Sequence, residues 1–291
     1  MADQQQFLWG YGLSMEDLDS PHLISKEIDV MVRSGANACY VPMSWKRILP
    51  EGIGRMDERV AASYEKLFEL LRQHALIPVI GLLVDEMPEP LIDRGGWLFG
   101  ESIYWYSNFI RSVMDHFVDM PVHWTIQWVD ETPYPLAFQE EMTELMTKYK
   151  GYFPRNQIGC MYSMKHTLSF QWLEAFDYYV IPWVSPEEIC QHPRENIMIL
   201  DGPFLSDDKI HIDGRIHDVM RMDYIRQHVE GLMSCKASGV PIKGYFYHPF
   251  VDQMHCESEA SRHQGVAYHK ASDKSVRLKD SARWLRKREK A

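Results

Sequence analysis

Short apolar runs alternate with stretches of helical periodicity from one end of this chain to the other. The runs at residues 7–14, 38–45, 76–84, 123–131, 158–164, 178–184, 197–200 and 243–248 read as strands. The run at 76–84 is almost continuously apolar, the pattern of a parallel strand covered on both faces. Between the runs, residues 20–34, 57–75, 101–117, 138–149, 168–176, 186–190 and 218–234 read as helices, and 281–290 closes the chain as another. In the clearest helix Val60, Tyr64, Leu67, Phe68 and Leu71 share one face while charges fill the other. Ile103, Tyr106, Ile110, Val113 and Phe117 do the same in the third, and Met222, Ile225, Val229 and Leu232 are the expected buried set of the seventh. Gly35 is placed to cap the first helix, since glycine takes positive φ without steric cost.

Strict alternation of eight strands with eight helices implies a parallel sheet with right-handed crossovers. Over 291 residues it predicts an α/β fold, a single (β/α)8 TIM barrel spanning 1–291. A doubly wound open sheet is the alternative, and no Gly-rich phosphate fingerprint after the first strand supports it. Composition narrows the partners. With 31 basic against 41 acidic residues the net charge is −10, which disfavours nucleic acid and anionic membrane. The basic cluster at 283–288 reads as a solvated terminal helix. Five cysteines without a C-x-x-C pair suggest reduced thiols and a cytoplasmic setting. Cys39 and Cys160 lie inside strands as packing residues, and Cys256 is the expected reactive thiol. No signal peptide is visible at the N-terminus, and no apolar stretch is long enough for a bilayer.

In a barrel, catalytic groups gather at the C-terminal ends of the strands. Acids stand at those ends here: Asp17 after the first, Asp85 and Glu86 after the third, Asp130 and Glu131 after the fourth, and Asp201 after the seventh. His248 and Asp252 follow the eighth. Aspartate is a preferred helix cap, which accounts for some of these positions, but glutamate is a poor one. Glu86 and Glu131 therefore stand out. Trp45, Trp128, Trp183 and Tyr247 would suit either a ring-binding pocket or a core. Asp85, Glu86, Asp130, Glu131, Asp201, His248 and His255 are the residues a divalent metal would draw on, yet none of their spacings is a metal motif. Neither metal nor cofactor is expected.

Several segments, in order, resemble the family-1 β-glycosidases. Phe7-Leu8-Trp9-Gly10 is similar to their opening F-L-W-G, and residues 43–52 to their S-W-S-R-I-x-P-x-G. Gly95-Gly96-Trp97-Leu98 matches a G-G-W-L, Lys243-Gly244-Tyr245-Phe246 with Val251-Asp252 resembles K-G-Y-F-x-W-S-x-x-D-N, and Gln264–Tyr268 resembles F-G-L-x-Y. The resemblance implies an acid/base where Asp130-Glu131-Thr132 replaces N-E-P, so at Glu131. It implies a nucleophile at Asp201 when residues 197–202 are aligned without a gap to I-T-E-N-G, whereas a one-residue slip puts Leu200 there. The sugar-gripping groups differ. Asp17 replaces a glutamine, Tyr40 an arginine, Val84-Asp85 a His-Trp pair and His255-Cys256 a Glu-Trp pair.

The expected function is a divergent glycoside hydrolase acting on a small-molecule glycoside or glycoconjugate. Glu131 would be its general acid/base, and Asp201 its nucleophile, water-activating base or charge stabiliser. Asp17, Tyr40, Trp45, Asp85, Glu86, Trp128, Asp130, Trp183, Tyr247, His248 and His255 would bind substrate. Asp130, Trp128 and Trp183 are the groups expected to raise the Glu131 pKa. Carboxyl groups sit about 5–5.5 Å apart in retaining glycosidases and about 6.5–9.5 Å apart in inverting ones. An aspartate for a glutamate withdraws one carboxyl by ~1.5 Å, toward the inverting range. A catalytically retired, ligand- or partner-binding barrel and a metal-dependent barrel hydrolase are the alternatives.

Overall fold

The computed structural model describes residues 6–14, 18, 21–84, 87–130, 132–152, 156–161, 170–190, 196–252, 263–270 and 275–289. Eight strands alternate with helices: β1 Leu8–Gly12, β2 Ala38–Ser44, β3 Ile77–Leu83, β4 His123–Gln127, β5 Gln157–Met161, β6 Tyr178–Pro182, β7 Ile197–Asp201 and β8 Ile242–Tyr247. They close into a parallel barrel in sequence order. The (β/α)8 expectation holds, and the open sheet is excluded because β1 pairs with β8. The helices are α1 Pro21–Arg33, α2 Trp45–Ile48, α3 Glu58–Gln73, α4 Glu89–Ile92, α5 Ser102–His116, α6 Pro135–Tyr152, α7 Phe170–Ala175, α8 Pro186–Ile189, α9 Val219–Ala237 and α10 Asp280–Glu289. Among the described residues, no helix is long and apolar enough to cross a membrane.

The chain falls into two compact units. The first comprises Met1–Val41, Leu70–Ile77 and Pro182–Ala291 and holds β7, β8, β1 and the start of β2. Side chains alternate across these strands, so the face of each residue follows from its register. Tyr245 lies with Trp9, Ser34, Gly35 and Leu285 on the helix-covered face. Leu8, Gly10 and Phe246 take the other face, where a Cβ on Gly10 would come within 2.6 Å of the Phe246 ring. Helix α9 covers this part of the sheet and buries Arg221, Ile225, Val229, Leu232 and Cys235. Met222, expected in that set, is only half-buried; Arg221 takes the inward place because Asp208 and Asp218 neutralise it there. A two-stranded hairpin, β9 Ala267–Lys270 against β10 Ser275–Leu278, was not foreseen, since four-residue strands are too short for periodicity to mark.

The second unit, Pro42–Glu69 with Pro78–Ile181, holds β3 to β6. Thr125 Oγ1 and the Tyr178 hydroxyl lie 2.8 Å apart between β4 and β6, and Tyr178 donates to Trp124 O at 2.8 Å. Tyr106, reaching in from α5, donates to Leu82 O at 3.0 Å and accepts from Gln127 N at 2.9 Å, tying the ends of β3 and β4 together. Strand β4 stops at Gln127 instead of running on to Glu131. α6 begins at Pro135, the first helical position, where a missing N–H costs nothing, and is longer at both ends than expected.

Candidate functional site

Asp201 ends β7 and, on the first unit's side of the chain, is the carboxylate the sequence singles out. Its side chain has no exposed surface. Oδ1 accepts from Gly202 N at 2.7 Å and from the Tyr224 hydroxyl at 2.9 Å. Oδ2 accepts from the Tyr245 hydroxyl at 2.6 Å and from His228 Nδ1 at 2.8 Å, so that ring nitrogen carries the hydrogen. Two of the four donors stand on α9, one turn apart, and Tyr245 lies on the helix-covered face of β8. The carboxyl group therefore points out of the barrel, into the layer between sheet and helix. Leu200 takes the opposite face, in register with Phe246. Burial first, then the Asp201 charge, push the Tyr224 and Tyr245 hydroxyls well above the ordinary tyrosine value, so both remain donors.

This arrangement bears on the roles expected of Asp201. A nucleophile or a water-activating base needs a lone pair open to the reacting atom. Here both oxygens are already doubly occupied and no surface faces a substrate. Leu200, in register with Phe246, takes the barrel-facing position next to Asp201.

The neighbours complete the cluster. Trp183 stacks on the His228 ring at 3.8 Å and 9°, and Tyr224 packs on the same ring at 3.9 Å. Tyr247 is fully buried; it accepts from Phe204 N at 3.0 Å and donates to Gln264 O at 2.9 Å, which makes it a brace for two loops. His248 lies on the other face, at the tip of β8. Its main-chain N–H donates to Asp201 O at 2.8 Å, and a Cβ on Gly12 would come within 2.5 Å of its Nδ1. Burial pulls the imidazole below its ordinary value, opposed by the Gly12 backbone, so it is neutral near pH 7. Tyr40 is in register with Gly12 on β2 and shares that face. Of the substrate-binding candidates in this unit, Tyr40 and His248 thus take the barrel-facing side of their strands, while Trp183 and Tyr247 pack around the Asp201 cluster.

In the second unit, Trp128 packs edge-on against Phe138 at 5.3 Å and Trp172 at 5.2 Å, just beyond β4. Trp45 is fully buried, stacked on Phe109 at 5.5 Å and donating Nε1–H to Gly52 O at 3.0 Å. Both tryptophans pack among other aromatic side chains, Trp45 with no exposed surface and Trp128 with 6%. Asp130 is exposed at the end of the same segment. Glu131 itself, with Asp17, Asp85, Glu86, His255 and Cys256, lies outside the described residues.

Sequence reasoning missed Tyr224, His228 and Tyr245. The spacing of Tyr224 and His228, four apart on one helix face, was a usable signal. It also missed a buried ion cluster. Arg221 Nη1 meets Asp208 Oδ2 at 2.7 Å and Asp218 Oδ2 at 2.8 Å, and Lys279 Nζ meets Asp208 Oδ2 at 2.6 Å and Asp252 Oδ1 at 2.5 Å. Burial would raise Asp208, but Lys279 and Arg221 outweigh it and hold the carboxyl below the ordinary range. Burial wins at Asp218 and raises it. Among the described residues, Asp208, Asp252 and His263 form the group spaced for a metal ion, their ligand atoms within 4.8 Å of one another. The Lys279 ammonium already bridges its two aspartates, so the donor set does not fit a resident metal, and it contains none of the acids proposed as ligands from sequence.

Comparison with known proteins decides the family. The model of "Glycosyl hydrolase family 1" matches residues 14–169 and 189–290. The chain belongs to that family. A 1,4-beta-D-glucan glucohydrolase of Thermotoga neapolitana is 20% identical over alignments covering 89% of this chain and 84% of the relative. Beta-glucosidase A of Thermotoga maritima is also 20% identical, covering 89% and 83%. A solved family 1 β-glucosidase from Thermotoga maritima superposes with a TM-score of 0.80 at 17% identity, covering 98% of each chain. Family membership supports a glycosidase-like activity, and the structural likeness carries the fold.

Proposed function

We propose that residues 1–291 form a single glycosidase-type barrel that acts on a non-standard glycoside or glycoconjugate without a carboxylate nucleophile on β7. The observation that carries this reading is the saturated, outward-pointing Asp201 carboxyl group. Glu131 is the acid/base, protonating the glycosidic oxygen. Trp128, locked between Phe138 and Trp172, anchors the segment that leads to it. Asp201 is a positioning residue that fastens the tip of β7 to α9. Tyr40 and the neutral His248, on the barrel-facing side of β2 and just past β8, are the residues that meet the sugar in place of the groups that grip glucose in the family. The β-glucosidase relatives support a small-molecule glycoside as the ligand class.

The test is a panel of aryl glycosides and glycoconjugates, with Glu131→Gln and Asp201→Asn variants and a 2-deoxy-2-fluoro glycoside as a trap for covalent intermediates. Turnover lost in Glu131→Gln, with no trapped sugar on Asp201, supports the reading. A glycosyl adduct mapped to Asp201 overturns it.

The second reading, a retired barrel that binds a glycoside without cleaving it, draws on the same Asp201 geometry. It is the outcome in which panel members raise the melting temperature while neither the wild type nor Glu131→Gln turns any of them over.

A further inference from the structure

Two thiols meet where α8 packs on α9. Cys190 caps the C-terminus of α8 and is exposed; Cys235, in the last turns of α9, is buried. Their Sγ atoms are 3.1 Å apart, and Cys235 donates its S–H to Pro186 O at 3.3 Å. Both are reduced. A disulfide needs its sulfurs at about 2.0 Å, so the remaining closure is ~1 Å, within reach of small side-chain rotations.

The two sides are held firmly. Ser185 and Glu188 form a capping box at the start of α8. Pro186 packs so closely on Gly231 that a Cβ there would come within 2.8 Å of it. Trp183 stacks on His228, three residues before Gly231 on the same helix. The sequence pointed instead to Cys256 as the reactive thiol, because Cys190 and Cys235 are 45 residues apart and share no motif.

We propose that Cys190 and Cys235 form a reversible disulfide that ties the segment after β6 to α9, with a low-molecular-weight disulfide as oxidant. The exposed Cys190 thiolate attacks one sulfur of the oxidant and expels one thiolate, leaving a mixed disulfide on Cys190. Cys235 then gives up its proton to solvent as its sulfur attacks Cys190 Sγ, breaking the mixed disulfide and expelling the second thiolate, which takes up a proton. The protein pair loses two electrons and two protons; the oxidant gains both electrons and leaves as two thiols. Burial, with the neighbouring Cys190 sulfur, pushes the Cys235 thiol up to about 12, so the exposed Cys190 is the thiol that reacts first. The closed loop would fix the back of the helix that holds Asp201.

The full-length protein is incubated with oxidised glutathione and read by intact mass and non-reducing peptide mapping. The expected result is the loss of two hydrogen masses, a linked peptide joining Cys190 to Cys235, and reversal by dithiothreitol. Cys256→Ser keeps the link, and Cys235→Ser stops at a glutathione adduct on Cys190. A stable glutathione adduct on wild-type Cys190, a link through Cys256, or no reaction at all overturns the proposal. These wild-type readouts decide it whether or not the serine variants fold.

Discussion

Asp201→Ala removes the acceptor for four donors at once. The Tyr245 hydroxyl is the most costly to strand, because Tyr245 is 1% exposed and water cannot replace the lost partner. A buried donor left unsatisfied costs ~1–3 kcal/mol, and hydrogen bonds to a charged group are worth ~1.5–3 kcal/mol each. Tyr224 and His228 are half-buried and can recover water, so their contributions are discounted. The net expectation is a loss of about 3–5 kcal/mol, a large share of the ~5–15 kcal/mol that holds a typical protein folded. Asp201→Asn keeps one acceptor oxygen, and the Tyr245 hydroxyl can rotate to accept from the new amide. Its expected cost is lower, ~1–2 kcal/mol. Tyr245→Phe should cost about the same and should not add fully to Asp201→Asn, because the two changes share a hydrogen bond. Urea unfolding followed by tryptophan fluorescence reads the midpoint at constant slope. If Asp201→Ala is destabilised by less than ~1 kcal/mol while turnover collapses, the carboxyl group is not a structural anchor and its assignment as a positioning residue fails.

Two further changes probe the rest of the unit. Lys279→Met leaves Asp208 and Asp252 short of a cation in a place with no solvent, and should cost ~3–5 kcal/mol in thermal or urea unfolding; a loss under ~1 kcal/mol would mean the cluster is hydrated. Asp208 has a folded pKa below its unfolded value of 3.8, so the stability it contributes is present above that value and is lost as pH falls through the folded one; the Lys279→Met deficit should therefore narrow below about pH 4. His248 has a folded pKa below its unfolded 6.5, so its contribution is complete above 6.5 and is lost as the unfolded chain takes up the proton first. Between about pH 7.5 and about pH 5.5 the wild type should lose more stability than His248→Gln, and equal losses in both would contradict the buried neutral imidazole.

The architecture was legible because its signals are local and repeated. The β3 run is apolar on both faces, and Val60, Tyr64, Leu67, Phe68 and Leu71 mark α3 by spacing alone. Ends of elements were less so. β4 stops at Gln127 because the next residues turn to packing and loop roles, with Trp128 wedged between α6 and α7, which apolar content does not distinguish from strand. Helical spacing puts Met222 on the inward face of α9, yet it is only half-buried. Arg221 is there instead, since Asp218, three residues before it, and Asp208, in the preceding loop, make a buried guanidinium tolerable, and helical periodicity does not report an ion pair.

Sequence alone determined that this chain is a β/α barrel of glycosidase type, and it placed acidic residues just after several of the strand segments. It left open whether Asp201 or Leu200 faces the barrel. In a strand the side-chain period is two, so a shift of one residue turns every side chain to the opposite face. No local signal at the tip of β7 fixes that parity. Tertiary structure decided it, because the donors that hold the carboxyl group, Tyr224, His228 and Tyr245, come from 23 to 44 residues further along the chain and meet only when α9 and β8 pack against β7.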